Sequence, residues 1–163
     1  VVGEDLLPSD LGKPLLLPLL FWLADRGVRV YHGSVASWKG QGVLFVGGEN
    51  AGKTTALLAC LRAGWDFVCD DLFVIGNDMR VEGLYSSVWL APGHAERHFA
   101  ELSLQSHPLD PKGVGFAASV GAVPIVAAVH VSRVEGATRV VGTSRGEVLR
   151  ALVPSSFGLI PGL

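Results

Sequence analysis

The run Gly47-Gly48-Glu49-Asn50-Ala51-Gly52-Lys53-Thr54 fits the pattern G-x-x-x-x-G-K-[ST], and each fixed position has a physical reason. Gly47 and Gly52 let the backbone curl, so that successive N–H groups point at one set of phosphate oxygens. A helix opening directly behind them adds the partial positive charge of its N-terminus. Lys53 is long enough to reach terminal phosphates, and the Thr54 hydroxyl suits an accompanying Mg²⁺. Gly48, Glu49, Asn50, Ala51 and Thr55 complete the candidate cradle. The motif predicts a bound nucleotide, ATP with Mg²⁺.

Two further features belong with this loop. Asp70-Asp71 follows the next apolar run, where an acidic residue at a strand edge can hold the metal directly or through water. Adjacent carboxylates can divide the work, one facing the metal and the other the attacking hydroxyl; the plainer reading is a polar turn between strands. His32 follows an apolar stretch upstream of the loop. A lone histidine is usually a core or solvated residue, but one delivered to the same sheet edge can hydrogen-bond an aspartate and tune it.

Hydropathy and turn signals outline the elements that must position these groups. Residues 1–12 read as an irregular lead-in, and 14–25 as a helix that Gly27 stops. Short strands at 28–31 and 34–37 precede a Lys39-Gly40-Gln41 turn. The apolar run 42–46 has the character of a strand buried on both faces. A helix over 53–63 follows the loop, with Gly64 as its cap. A strand at 65–69 ends on the acidic pair, and 72–75 and 79–82 flank a Gly76-Asn77-Asp78 hairpin signal. Residues 92–102 look helical, while 114–118, 125–131 and 138–141 look like strands. Ser144-Arg145-Gly146-Glu147 is a capping box opening a short helix that Pro154 ends. This succession predicts one α/β domain over 1–163, with a mixed sheet and flanking helices. Val1 is not a natural start, so the chain is expected to belong to a longer protein continuing upstream.

Composition narrows the class. With 163 residues, 49% of them hydrophobic, and a mean hydropathy of +0.42, a membrane protein has to be considered. The most apolar stretch, 15–24, is interrupted by Pro18 and closed by Asp25 and Arg26, well short of the roughly 20 residues a spanning helix needs. Glu4, Asp5 and Asp10 stand where a signal peptide would be basic. A net charge of -2 with dispersed Lys and Arg argues against nucleic acid as a main partner. Cys60 and Cys69 lack metal-ligand spacing and read as buried thiols of a cytoplasmic protein. His94 and His98, four apart on an expected helix, lack a third ligand and read as a solvated face. Trp22, Trp38, Trp65 and Trp89 fall in different elements and read as core or rim, not as a stacking platform.

Tyr31-His32-Gly33-Ser34, then Gly42-Val43-Leu44-Phe45-Val46-Gly47 and the loop, then Arg62-Ala63-Gly64-Trp65-Asp66-Phe67-Val68-Cys69-Asp70-Asp71, together resemble HPr kinase/phosphorylase and its relatives. The likeness spans about residues 27–75, with a weaker match at Leu84-Tyr85-Ser86-Ser87 and near Leu152. It implies an HPr-kinase/phosphoenolpyruvate-carboxykinase-like P-loop fold. It also implies transfer of the γ-phosphoryl group of ATP, with Mg²⁺, to a hydroxyl of a peptide, protein or small metabolite, and leaves room for a homo-oligomer. Carried onto this chain, the resemblance makes Asp70 the base for the accepting hydroxyl and puts Asp71 with Thr54 on the metal side. Lys53 is then the catalytic cation, and His32 supports the acidic pair. Glu49-Asn50 departs from the small residues usual in the loop, and Glu49 is expected to point to solvent. A downstream glycine-rich signature for engaging the HPr protein is missing, and Arg80, Arg97 and Arg133 are the candidates for a charge-neutralising arginine. The alternative is a non-catalytic nucleotide-binding module that regulates an assembly. A carboxykinase is disfavoured, because its additional His and Lys ligands have no counterpart.

Overall fold

Three hydrophobic clusters organise the computed structural model, which describes residues 12–90, 108–136 and 139–153 and the backbone of 156–157. Helix α1 (Leu16–Asp25) ends as Gly27, at φ 69°, turns the chain back. Strand β1 (Val30–Trp38) then reverses into β2 (Gln41–Val46) through Lys39 and Gly40, both at positive φ (52° and 78°), the twist a two-residue hairpin prefers. After the glycine-rich loop come α2 (Lys53–Arg62) and the long strand β3 (Asp66–Ile75). A tight turn leads to β4 (Arg80–Gly83); β5 (Val123–His130), α3 (Arg145–Leu152) and the short β6 (Ser156–Phe157) follow.

The six strands make one mixed sheet. Pairing runs β1–β3–β4–β5–β2 and returns from β2 to β1, so the sheet closes on itself. Only β2–β5 is parallel; every other pair is antiparallel. Each of these five strands contributes to one cluster, through Val35, Leu44, Val46, Cys69, Phe73, Val81 and Val123, and Leu152 of α3 joins it. Alternation along the strands sends their other side chains outward. Ala36, Phe45 and Phe67 meet Leu57, Leu58 and Leu61 of α2, while Val30 and Leu72 meet Leu23 of α1. A β-bulge opposite Val35/Ala36 puts Val68 in excess, which lets Phe67 face α2 and Cys69 face inward.

The expected α/β character and mixed sheet are present, and several element limits change. The two short strands expected around 28–37 are one strand, unbroken at Gly33. A Cβ there would lie 2.8 Å from the Phe45 carbonyl oxygen and 3.0 Å from the Phe73 ring, so this glycine serves close strand approach and not a turn. Likewise 65–69 and 72–75 form one strand running through the acidic pair, because β1 pairs with it continuously from Val30 to Ser37. The stretch 114–118 contributes only a bridge from Ala118 to Phe67. Arg139, Val140 and Val141 are not in a strand. The capping box forms, with the Glu147 N–H donating to Ser144 Oγ and the Ser144 N–H to Glu147 Oε2. The expectations for residues 1–11, the 92–102 helix, His94, His98, Arg97, Thr138 and Pro154 lie outside the described residues. Among the described residues no helix is long and apolar enough to cross a membrane.

Candidate phosphate and acidic-pair site

Strand β2 delivers the glycine-rich loop, and its backbone follows the sequence closely. Gly47, Asn50 and Gly52 have φ of 153°, 56° and 107°, positive values that favour glycine and curl the loop, and the Ala51 N–H donates to the Gly48 carbonyl within it. At Gly47 a Cβ would collide with the Val131 carbonyl oxygen, so the loop rests directly on the chain leaving β5. Lys53, the first residue of α2, is buried and folds back along the loop. Its ammonium donates to the carbonyls of Gly47 (3.1 Å) and Gly48 (2.9 Å). Burial lowers the Lys53 pKa, while the charges of Asp70 and Glu49 raise it.

Across the loop, the cross-strand row Asp70–Ser34–Phe45 sets the first carboxylate beside the end of β2. Asp70 is only 4% exposed and densely hydrogen-bonded. Ser34 Oγ donates to it at 2.6 Å, Thr54 Oγ1 lies 3.1 Å from both of its oxygens, and the Trp89 N–H reaches it at 3.4 Å. Burial pushes the Asp70 carboxyl above its usual range, and these bonds together with the Lys13 charge pull the other way.

Asp71 would turn to the opposite face in a regular strand. Instead it has φ 81°, a left-handed conformation uncommon outside glycine, and both carboxylates line the same cleft. His32 Nε2 lies 2.7 Å from Asp71 Oδ1, and the Lys13 ammonium pairs with Asp71 Oδ2. The imidazole is neutral and donates its Nε2–H, because burial, then the charges of Lys53 and Lys13, hold its pKa down to about 4 against the pull of Glu49.

The cleft has a volume of about 410 Å³. His32, Glu49, Asn50, Gly52, Lys53, Thr54, Thr55, Asp70 and Asp71 line it together with Trp89, Leu90 and Arg133. Residues singled out from widely separated parts of the sequence are therefore neighbours. Glu49, expected to point to solvent, is exposed yet borders the cleft, and its charge is felt at Lys53 and His32. Of the arginines considered, Arg133 reaches the cleft, whereas Arg80 is tied to the Ala122 carbonyl at the β4–β5 end. Ser34, Lys13 and Trp89 join the site in addition to the residues expected from the sequence. Ser34 was within reach of sequence reasoning, since it sits two residues after His32 on the same strand face. Lys13 carries no local signal.

Thr54 and Asp70 offer oxygen donors of the kind Mg²⁺ takes, a hydroxyl and a carboxylate, with the remaining positions free for phosphate and water. Among the described residues no group of three or more His, Cys, Asp or Glu could hold a metal unaided. The sheet, helices and site define an α/β protein whose cleft lies between a glycine-rich loop and paired aspartates. Compared with models of known protein families and with curated proteins, the chain matches none.

Proposed function

We propose that this protein is a phosphotransferase of the HPr kinase/phosphorylase kind, moving the γ-phosphoryl group of ATP to a hydroxyl. One observation carries the reading: around a single cleft, Asp70 bonds the loop's Thr54 while the adjacent Asp71 bonds His32. A bare phosphate-binding loop has no use for two carboxylates so differently partnered.

In this reading the loop N–H groups and Lys53 bind the triphosphate, Lys53 exchanging its two loop carbonyls for phosphate oxygens. Thr54 and Asp70 hold Mg²⁺, which when bound neutralises charge on the transferring group. Asp71 takes the proton of the acceptor hydroxyl as its oxygen forms the new O–P bond. The bond from the γ-phosphorus to the β,γ-bridging oxygen breaks, its electron pair stays on the β-phosphate, and ADP departs. His32 donates its N–H to Asp71, so it fixes the carboxylate's orientation without competing for the proton. The two aspartates thus exchange the roles implied by the resemblance. Asp70 belongs to the metal side because it bonds Thr54, and Asp71 to the acceptor side because it bonds His32.

The test is calorimetric titration with ATP–Mg²⁺ alongside phosphorus-31 detection of transfer. Wild type should bind, and Lys53→Ala should lose most of the affinity while staying folded. Binding without transfer to any hydroxyl acceptor would leave a non-catalytic nucleotide module, and unchanged affinity in Lys53→Ala would remove the phosphate-loop reading altogether.

A further inference from the structure

A second, smaller cavity of about 80 Å³ opens beside Asp71, lined by Gly12, Lys13, Asp71, Ser87, Trp89 and Pro108. Asp71 and Trp89 also line the larger cleft, so the Asp71 carboxylate stands at the junction of the two spaces. We propose that this cavity receives the phosphoryl acceptor and selects a hydroxyl carried close to a carboxylate. The proposal rests on the kinase reading above.

Position comes first. A base must touch the acceptor hydroxyl while the phosphoryl donor lies on its other side. A group seated in the small cavity meets that requirement at Asp71, with the nucleotide cleft beyond. Size comes next. The cavity has about one-fifth the volume of the larger cleft, so it suits a small acceptor group and not a second nucleotide.

Charge then sets the class. Lys13 is pinned from both sides: Ser87 Oγ donates to the Gly12 carbonyl and Tyr85 Oη to the Pro14 carbonyl, each at 2.9 Å. The segment 12–14 is thereby strapped to the chain before Trp89, and the Lys13 ammonium is delivered to Asp71 from far away in sequence. With a neutral alcohol in the cavity, Lys13 stays on Asp71 and occupies lone pairs that the base needs. An acceptor bringing its own carboxylate gives the ammonium a second, charge-assisted partner and leaves an Asp71 oxygen for the hydroxyl proton. A site built around such a charge rejects the analogue that lacks it. Free hydroxy acids and the C-terminal residue of a peptide ending in serine share this chemistry.

Transfer from ATP–Mg²⁺ should be compared for L-serine, D-glycerate and the dipeptide alanylserine against serinamide and glycerol. At least one carboxylate-bearing acceptor should exceed its uncharged analogue tenfold or more in kcat/KM, and which one does so identifies a free acid or a peptide end. Lys13→Met should abolish that preference mainly through KM, and Lys13→Arg should recover part of it. Calorimetric binding of the preferred acid to the nucleotide-free protein gives a readout independent of turnover, and it too should vanish in Lys13→Met. Equal turnover of charged and uncharged acceptors, or acid binding indifferent to Lys13, overturns the proposal while transfer itself still stands. Loss of ATP binding by wild type would instead overturn the kinase reading.

Discussion

Asp70 and Asp71 are chemically identical neighbours held in different surroundings, and substitution should separate them. Asp70→Asn removes the charge facing Thr54, so Mg²⁺-dependent ATP affinity should fall, and chelating the metal should change affinity far less than in wild type. Asp71→Asn should leave ATP–Mg²⁺ binding nearly intact and slow transfer by about 10²–10⁴. Calorimetry paired with transfer rates decides; equal loss of metal-dependent binding in both would cancel the division. His32 acts through Asp71, so His32→Gln should lower transfer at least tenfold and add little to Asp71→Asn. It should also alter stability against pH. The unfolded imidazole titrates near 6.5 and the folded one at about 4, so between these values the unfolded chain binds the extra proton. The stability His32 allows is full above pH 6.5 and is lost as the pH falls toward 4. Asp70, raised by burial, contributes with the opposite sign, losing stability as the pH rises from 3.8 through its folded value. The informative quantity is therefore the difference between His32→Gln and wild type in urea unfolding at pH 4.5 and 7. It should shift in favour of His32→Gln as the pH falls from 7 to 4.5, because only wild type loses the His32 contribution over that range.

At the scale of elements, Gly33 and the capping box make opposite predictions. Gly33→Ala presses a methyl onto the Phe45 carbonyl and the Phe73 ring, costing about 1–3 kcal/mol of overpacking beside Asp71, its cross-strand partner. Both stability and transfer should fall. Ser144→Ala removes a cap worth about 1 kcal/mol at a helix whose residues do not line the cleft, and transfer should be unaffected. Denaturant midpoints measured beside transfer rates check both. These elements also show what could be read from the sequence. The loop, α2, the hairpin before β4 and the Ser144 box were legible because each is specified by neighbouring residues: a motif, a turn, a cap. The continuity of β1 through Gly33 and of β3 through Asp70-Asp71 was not, because partner strands impose it. Glycine and paired aspartates read locally as breaks, and only the pairing of β1 with β3 reveals them as strand interior. Lys13 was hidden for the same reason, since its partner is far along the chain.

At the scale of the whole molecule, the site depends on the closed sheet beneath it. The inward cluster around Phe73 lies under the row that carries Asp71, so Phe73→Ala, at about 3–5 kcal/mol for a fully buried phenylalanine, should weaken fold and cleft together. The closure has a kinetic side as well. Tight turns join β1 to β2 and β3 to β4, whereas the parallel seam pairs Gly42 with Ile125 and Val46 with His130, partners far apart along the chain. Such pairings bear a larger loop-closure entropy than the hairpins and form after them. The glycine-rich loop leans on Val131, just beyond that seam, so the loop is seated only once the seam has formed. Nucleotide should then act as a latch. By mass action it stabilises the zipped state by RT ln(1 + [L]/Kd), and amide exchange along β5 should slow more on adding ATP–Mg²⁺ than exchange in the β1–β2 hairpin.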